Sequence, residues 1–555
     1  REQVPDIPFQ MLLRGANAVG YTSYPDNAVY KFCELAVQHG MDIFRVFDSL
    51  NYIENMRLGI DAVGAAGGII EASVCYTGDV LRSEKEYRYT IDYYLQLVRE
   101  LVRHGIHVLN IKDMAGLLKP RAATMLITAL RSEYPDLPIH VHTHDTAGAG
   151  VAAMIACAES GADAVDVAID AMSGMTSQPS MGAIVAALQG TSLDTGFDLQ
   201  QLELINDYWE QCRQIYAPFE SGQKSGSSDV YRHEMPGGQY TNLLFQSSQL
   251  GLADRWPQVK RSYAEANEIL GDIVKVTPSS KVVGDLAQFM VTNNLSKEDV
   301  LAEAENHSFP SSVVEYFQGY LGIPTGGFPE PLRSQVLKGK TLPNGKQTFD
   351  GRPGAEFPPI DFCAVKRELE ELYGIEGSDT DAISYVLYPD VFKEYKQFVQ
   401  KYGDVSVLDT RAFIIGLVEG EEAKFDVSNG VTYYITLKHV GSVNDDGTRD
   451  VYFDFNGHER IITVEDSSAS TASSKRAFAT TDLGSVGAPM PGVVVAINVK
   501  EGDVIKRGEP LAVLSAMKME TVVAAPCDGT VGHISVSVGS NLSPGELLLE
   551  VVPRE

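Results

Sequence analysis

Hydrophobic and polar residues alternate in a regular way through the first third of the chain. Short apolar runs suited to buried strands are followed by polar turns and then by segments with helical periodicity. The predicted strands are Phe9–Arg14, Asp42–Asp48, Ile69–Tyr76, His107–Lys112, Ile139–His144 and Ala164–Asp170. Parallel strands joined by covering helices at this spacing are typical of a (β/α)8 TIM barrel. The pattern also allows a closing strand near Ala183–Leu188.

Glycines support the helices predicted between these strands. Helical patterns include Tyr89–His104 and Arg121–Tyr134. Gly40, Gly105 and Gly161 follow such patterns at the C′ position, where glycine readily adopts a left-handed backbone.

The pattern changes after residue 195. The next two hundred residues or so are rich in helices, and short alternating strands such as Thr432–Lys438 and Val451–Phe455 follow, with Asp445-Asp446-Gly447 as a hairpin turn. A Ser/Ala/Thr run at 467–474 is typical of a flexible linker. We therefore predict a multidomain α/β protein: a barrel over 1–195, a helical funnel extension over 196–403, a β-rich region over 404–465, a linker over 466–483 and a small all-β domain over 484–553.

The C-terminal domain contains one sequence unit twice. At an offset of 37 residues, the repeated pairs are Pro489 and Pro526, Gly492 and Gly529, Gly502 and Gly539, and Gly508 and Gly545. Two β-rich halves with one glycine pattern imply a flattened two-fold barrel. The hairpin that joins the halves would hold Lys518 near its tip, where an amine is suited to carry a covalently attached group.

Composition and charge narrow the possible functions. A hydrophobic content of 44% is ordinary for a globular protein, and a net charge of −29 argues against a nucleic-acid or anionic-membrane partner. No apolar run reaches the roughly 18 residues that a membrane span needs. The six cysteines show no C-x-x-C pairing, which favours free thiols in a reducing compartment. We expect a cytoplasmic protein, with the mitochondrial matrix as the alternative, and we expect Arg1 to follow an upstream region.

Ionisable side chains stand at five of the six predicted strand ends. They are Arg14, Asp48, Lys112-Asp113, His142-Thr143-His144 and Asp170. Barrel enzymes carry their chemistry at the C-terminal ends of the strands, so these residues predict a polar pocket. For each aspartate, a structural role in capping the next helix or bonding a loop is the alternative.

His142 and His144 are the sharpest candidates in this group. Alternate residues of a strand face the same side, so both imidazoles should enter the barrel mouth together. Two neutral imidazoles that converge there are natural ligands for a divalent transition metal, and two hydrogen-bonded rim histidines are the alternative. Lys112 ends an apolar strand, where a buried ammonium is unfavourable unless it is paired or modified. A carbamylated Lys112 would be anionic and could complete a metal site.

Several motifs resemble known families. Ala516-Met517-Lys518-Met519 resembles the biotin-attachment motif of biotin-dependent carboxylases and decarboxylases. The barrel is similar to the carboxyltransferase domain shared by pyruvate carboxylases, transcarboxylases and oxaloacetate decarboxylases, through residues 11–17, 110–116 and 140–145, and residues 233–240 recur beyond that barrel. The order of domains resembles the C-terminal part of the pyruvate carboxylase family, including the later part of its allosteric and tetramerisation region.

The resemblance implies roles for individual residues. Lys518 would carry covalent biotin. Lys112 would be an N6-carboxylysine that binds zinc or manganese with His142 and His144. Arg14 would bind the keto-acid carboxylate. A further residue, Thr277, would relay a proton between biotin and pyruvate, although its own chemistry equally suits an N-cap beside Pro278.

The resemblance further implies a reaction, partners and rivals. Carboxyl transfer from carboxybiotin to pyruvate would give oxaloacetate, as in the second half-reaction of these carbon–carbon ligases in anaplerosis and gluconeogenesis. ATP would be used only by an upstream domain, and a biotin protein ligase would modify Lys518. The parent chain would form a homotetramer, and acetyl-CoA is a candidate effector. The family's first strand, with an aspartate metal ligand, would precede Arg1, so we expect this part of the chain to be inactive alone. The rivals are a subunit of the oxaloacetate decarboxylase or transcarboxylase type and a non-catalytic biotin carrier scaffold.

Overall fold

Six parallel strands form the first sheet of the protein. A computed structural model describes residues 1–83, 87–249, 251–302, 304–374, 377–444, 446–466, 477–480, 482, 484–489, 492–516 and 519–554. The strands are β1 (Gln10–Leu13), β2 (Ile43–Val46), β3 (Ile69–Cys75), β4 (Val108–Asp113), β5 (Ile139–Thr143) and β6 (Ala164–Val165). They lie side by side in sequence order and all run parallel. The predicted α/β class and the barrel-type sheet are confirmed.

Six helices follow the strands. They are α1 (Asp26–Gln38), α2 (Ile53–Ala66), α3 (Ile91–Arg103), α4 (Pro120–Glu133), α5 (Gly150–Glu159) and α6 (Met181–Leu188). Their apolar faces pack with the strands in one hydrophobic core, as Val98 and Leu101 of α3 do. Gly40, Gly105 and Gly161 have positive φ angles at the ends of α1, α3 and α5, as predicted.

The predicted closing strand at Ala183–Leu188 is wrong. These residues belong to α6, because the Ser180 hydroxyl caps the N–H of Ala183 and the buried residues Ile184 and Leu188 recur at helical spacing. The last predicted strand is also shorter than expected. It ends at Val165, and Asp170 lies in a 3₁₀ turn, Asp170–Met172.

A helical region with its own hydrophobic core follows the sheet. Its helices are α7 (Leu199–Tyr216), α8 (Val230–His233), α9 (Gly237–Gln249), α10 (Trp256–Ile269), α11 (Ser279–Thr292), α12 (Lys297–Ala302), α13 (Ser311–Gln318), α14 (Leu332–Val336), α15 (Phe362–Tyr373), α16 (Asp379–Leu387), α17 (Pro389–Tyr402) and α18 (Thr410–Ile414). The central helix is α11, in which eleven of fourteen residues are buried. None of the described helices has the length and apolarity needed to cross a membrane.

An antiparallel meander comes next. Its strands are β7 (Glu422–Ser428), β8 (Val431–Val443), β9 (Thr448–Phe455) and β10 (His458–Glu465). The predicted strands Thr432–Lys438 and Val451–Phe455 lie within β8 and β9. At the predicted turn the Gly447 N–H donates to the Asn444 carbonyl, while Asp445 and the predicted linker at 467–474 lie outside the described residues.

The C-terminal domain consists of two four-stranded sheets. One contains β11 (Ser485–Gly487), β18 (Leu547–Pro553), β16 (Gly529–Ile534) and β13 (Val504–Ile505), and the other contains β15 (Met519–Ala524), β14 (Pro510–Ala516), β12 (Gly492–Ile497) and β17 (Asn541–Leu542). The bounds of β12, β13 and β14 recur in β16, β17 and β18 at an offset of 37 residues. The predicted two-fold duplication is therefore confirmed. Ala516 of β14 pairs with Met519 of β15, and Lys518 between them lies outside the described residues.

Candidate functional site

Three aspartates at the predicted strand ends accept hydrogen bonds from the residues that follow them. Their carboxylates accept hydrogen bonds from the segment that follows each strand, so the structural alternative is right for all three. The donors are Leu50, Tyr52 and Asn55 for Asp48, Gly116, Leu117 and Leu118 for Asp113, and Ser180 and Gly182 for Asp170.

The imidazoles of His142 and His144 converge at the C-terminal end of β5. Their Nε2 atoms lie 3.4 Å apart. The Nδ1 atom of His142 lies 2.6 Å from a carboxylate oxygen of Asp166, and the Nδ1 atom of His144 lies 2.7 Å from the carbonyl oxygen of Thr176. Burial lowers the pKa of His142 to about 3 and that of His144 to about 4, so both rings are neutral at physiological pH.

The spacing of this histidine pair fits a single bound ion. Two nitrogens held at about 2.0–2.1 Å from one tetrahedral zinc lie about 3.3–3.4 Å apart, close to the observed separation. Each ring also bonds an outer acceptor through its other nitrogen, which is the usual arrangement of metal-binding histidines. Within the part of the chain that the structure describes, no cluster of three or more His, Cys, Asp or Glu side chains could hold a metal. A further ligand from these strands must therefore be of another type.

Lys112 meets that requirement in position and environment. It is the second-last residue of β4 and lies directly beside His142 of β5 and Cys75 of β3, so the three side chains share one face of the sheet. Its side chain is almost fully buried, and among the described residues its ammonium contacts the ring of Phe47, 4.8 Å away, without a hydrogen bond or ion pair. Burial lowers the pKa of Lys112 to about 8. An unpaired buried ammonium is unfavourable, so the site suits a lysine that is neutral or chemically modified.

Arg14 also lies close to the ring of Phe47. Its guanidinium lies 5.9 Å from the Phe47 ring and 5.2 Å from the Tyr21 ring, and one terminal nitrogen donates to the Val19 carbonyl at 2.6 Å. Its Nε is buried without a protein partner among the described residues. The turn that follows depends on Gly15, since a Cβ there would lie 2.5 Å from the Asn55 carbonyl oxygen on α2. Arg14 thus keeps a donor available for an acceptor that the protein does not supply.

Thr277 lines a cavity of about 660 Å³ between the end of β1 and the helical region. Tyr21, Gln239 and Lys281 are also in its wall, and none of the three was predicted to be a site residue. The N-cap alternative for Thr277 is wrong, because Pro278 holds the N-cap position of α11. The Thr277 hydroxyl forms no hydrogen bond with a described residue and is only half-buried, so it is available to a molecule in the cavity.

The helical region reaches the histidine pair through Gly237. Its N–H donates to the Met114 carbonyl just beyond β4, and a Cβ at this position would lie 2.6 Å from Nδ1 of His144. Only glycine permits this approach while His144 keeps its bond to Thr176. Phe47, Arg14 and Tyr21 then connect Lys112 to the cavity that contains Thr277. All predicted site residues except Lys518 therefore lie in one continuous region.

Three family models match different parts of the chain. Residues 62–208 match a model described as HMGL-like, residues 230–436 match the conserved carboxylase domain, and residues 484–551 match the biotin-requiring enzyme domain. The strand-end residues of β4 and β5 fall in the first match, Thr277 falls in the second, and Lys518 falls in the third.

The chain is also similar to individual proteins over its whole length. It is 55% identical to pyruvate carboxylase 1 of Caenorhabditis elegans over 100% of this chain and 47% of that protein. It is 53% identical to the human mitochondrial pyruvate carboxylase over 99% of this chain and 46% of that protein. The carboxyl transferase domain of Rhizobium etli pyruvate carboxylase, solved with pyruvate and biocytin, is 47% identical with a TM-score of 0.79, over 84% of this chain and 77% of that one. The chain spans about half the length of the curated relatives it matches. Because it is 47% identical to the Rhizobium etli carboxyl transferase domain over 77% of that domain's chain, it belongs to the pyruvate carboxylase family.

Proposed function

We propose that this chain, as part of its full-length gene product, catalyses carboxyl transfer from carboxybiotin on Lys518 to pyruvate, which yields oxaloacetate. The observation that carries the proposal is the continuous path from the converging histidines through Lys112, Phe47 and Arg14 to the cavity of Thr277. The family matches support the same reaction, as does the relative that was solved with pyruvate and biocytin.

His142, His144 and carboxylated Lys112 would hold a zinc- or manganese-class ion. When bound, the ion would act as a Lewis acid toward the keto oxygen of pyruvate and the enolate formed from it. The protein's own contribution is to keep both Nε2 lone pairs directed at one point and to bury the lysine beside them.

Arg14 and Thr277 would handle the substrate and its proton. The guanidinium of Arg14 can bind the pyruvate carboxylate and orient it, since its Nε has no protein partner among the described residues. The hydroxyl of Thr277 can accept the proton that leaves the methyl carbon while it donates its own to the biotin nitrogen, so it ends unchanged. The N–CO₂ bond of carboxybiotin breaks and the new carbon–carbon bond forms at the methyl carbon. The walls of the cavity would limit access of water to the enolate.

The proposal includes partners and a compartment. A biotin protein ligase would attach biotin to Lys518, the parent chain would form a homotetramer, and acetyl-CoA is a candidate effector. The name of the human relative supports a mitochondrial compartment over the cytoplasm expected from composition.

A coupled assay tests the proposed function. The full-length gene product is supplied with ATP, bicarbonate and pyruvate, and oxaloacetate is followed through malate dehydrogenase. We expect oxaloacetate to form and avidin to abolish its formation. Decarboxylation of oxaloacetate without any synthesis would instead support the decarboxylase rival. The absence of both reactions in a biotinylated, folded protein would support the non-catalytic carrier.

A further inference from the structure

One carboxylate, Asp166, links two histidines of β5. Asp166 directly follows β6, and its two oxygens lie 2.7 Å from Nε2 of His140 and 2.6 Å from Nδ1 of His142. His140 and His142 are alternate residues of β5, and His144 follows at the same spacing just beyond its end, so all three rings face the same side of the sheet. His140 thus lies closer to the N-terminal end of β5 than the converging pair, and its ring nitrogens face Asp166, Glu71 and Arg45 instead of His144.

We propose that Asp166 is a positioning residue that fixes the ring and tautomer of His142, so that its Nε2 lone pair points to the metal site. This inference rests on the proposed function, because it assumes the ion between His142 and His144. An ionised carboxylate can only accept hydrogen bonds, so Nδ1 of His142 carries the proton and Nε2 is left as the free ligand atom. The Thr176 carbonyl imposes the same tautomer on His144 through its Nδ1.

The surroundings of Asp166 keep it in place. A guanidinium nitrogen of Arg45 lies 2.5 Å from the oxygen that faces His142, and Arg45 is almost fully buried. The Nε of Arg45 lies 2.5 Å from Glu71, which in turn lies 3.3 Å from Nδ1 of His140 and accepts a hydrogen bond from Gln10. Side chains from β1, β2, β3, β5 and the end of β6 therefore form one hydrogen-bonded network. Within this network, Asp166 is the residue that contacts the converging histidine pair.

A purely structural role for this cluster makes a different prediction. Hydrogen bonds from Arg45 and His140 are enough to pair both oxygens of the Asp166 carboxylate. The carboxylate of Glu71 then pairs with the same guanidinium of Arg45. The third bond, to His142, is not needed to pair the charges within this cluster. A structural role predicts lower stability when Asp166 is removed, whereas a positioning role predicts weaker metal binding that depends on His142.

The test measures metal affinity in the full-length gene product by competition between Zn²⁺ and a chromogenic chelator. We expect Asp166→Ala to weaken binding about 10- to 100-fold, the usual effect of losing an outer partner of a metal-binding histidine. Asp166→Leu, which keeps a side chain of similar length but has no acceptor oxygen, serves if the alanine variant does not fold. Asp170→Ala is the matched control, because this nearby carboxylate bonds only Ser180 and Gly182 among the described residues and should leave affinity unchanged.

A double-mutant comparison separates positioning from structure. In the His142→Ala background, Asp166→Ala should cause no further loss of affinity, because its effect passes through the missing ring. A folded Asp166 variant that binds Zn²⁺ like the wild type would overturn the inference and leave the proposed function intact. An equal loss in the His142→Ala background would also overturn it. A biotinylated wild-type protein that binds no metal would overturn both the inference and the proposed metal site.

Discussion

Replacing Thr277 by valine should separate catalysis from stability. Valine keeps the shape of threonine but removes the hydroxyl, which is half-buried and has no hydrogen-bond partner among the described residues. Its removal should therefore change the free energy of unfolding by no more than about 0.5 kcal/mol. If the hydroxyl carries the proton between pyruvate and biotin, carboxyl transfer should slow by about 10²- to 10⁴-fold. This loss corresponds to about 3–5 kcal/mol in the activation barrier.

Ser279, two residues further on, is the matched control. Its hydroxyl is fully buried, accepts a hydrogen bond from the N–H of Val276 at 3.1 Å and lies within 3.0 Å of the carbonyl oxygens of Ser49 and Val274. Ser279→Ala leaves buried groups unpaired, so it should lower stability by about 1–3 kcal/mol. The two hydroxyls, only two residues apart, are thus expected to have opposite profiles, with Thr277 important for turnover and Ser279 for folding.

The assay follows oxaloacetate through malate dehydrogenase and phosphate release in parallel, with melting temperature as the measure of stability. Thr277→Val should lose oxaloacetate formation at an unchanged melting temperature, while ATP cleavage by the upstream domain continues. Thr277→Ser, which restores a hydroxyl, should recover most of the rate. Wild-type oxaloacetate formation by a Thr277→Val protein would refute the proton relay.

Three further predictions concern biotin, metal and the thiols. Lys518→Ala should abolish the streptavidin signal after co-expression with a biotin ligase. The control, Lys506→Ala in the same domain, should keep the signal. A signal that survives Lys518→Ala would refute the attachment site. The His142→Ala, His144→Ala double variant should lose the roughly one zinc- or manganese-class ion per chain that elemental analysis is expected to find, and unchanged metal content would rule out the site. Burial raises the pKa of three thiols to about 12, so they stay protonated and should react slowly with Ellman's reagent at pH 8, while the exposed Cys363 should react at once. The three protected thiols are Cys33, Cys75 and Cys157, and their rapid labelling in the native protein would contradict their burial.

Features with a strict sequence period could be predicted. The offset of 37 residues in the C-terminal domain is enough to define two matching sheets, because equivalent sequences form equivalent strands. The common facing of His142 and His144 follows from the two-residue period of a strand. Lys112 could be placed beside them only because it ends a strand of the same sheet, where burial makes its charge unfavourable.

Features that depend on tertiary contacts could not be predicted. The apolar run Ala183–Leu188 is a different case, because it fits a strand or a helix equally well by periodicity and the local N-cap from Ser180 is the signal that the prediction missed. Asp166 is one of several aspartates in its segment, and only contacts from β2 and β5 distinguish it. The cavity wall combines Tyr21, Gln239 and Lys281 from three distant parts of the chain, and no local pattern connects them.

A single-turnover transfer experiment tests the central claim most directly. The full-length gene product, biotinylated at Lys518, is charged with ¹⁴C-bicarbonate and ATP, freed from both by rapid gel filtration in the cold, and mixed with pyruvate. We predict that the label leaves the protein and appears in oxaloacetate in equal amount, and that a Lys518→Ala protein takes up no label. Label that stays on the protein, or that leaves only as CO₂ while pyruvate is present, would contradict carboxyl transfer to pyruvate.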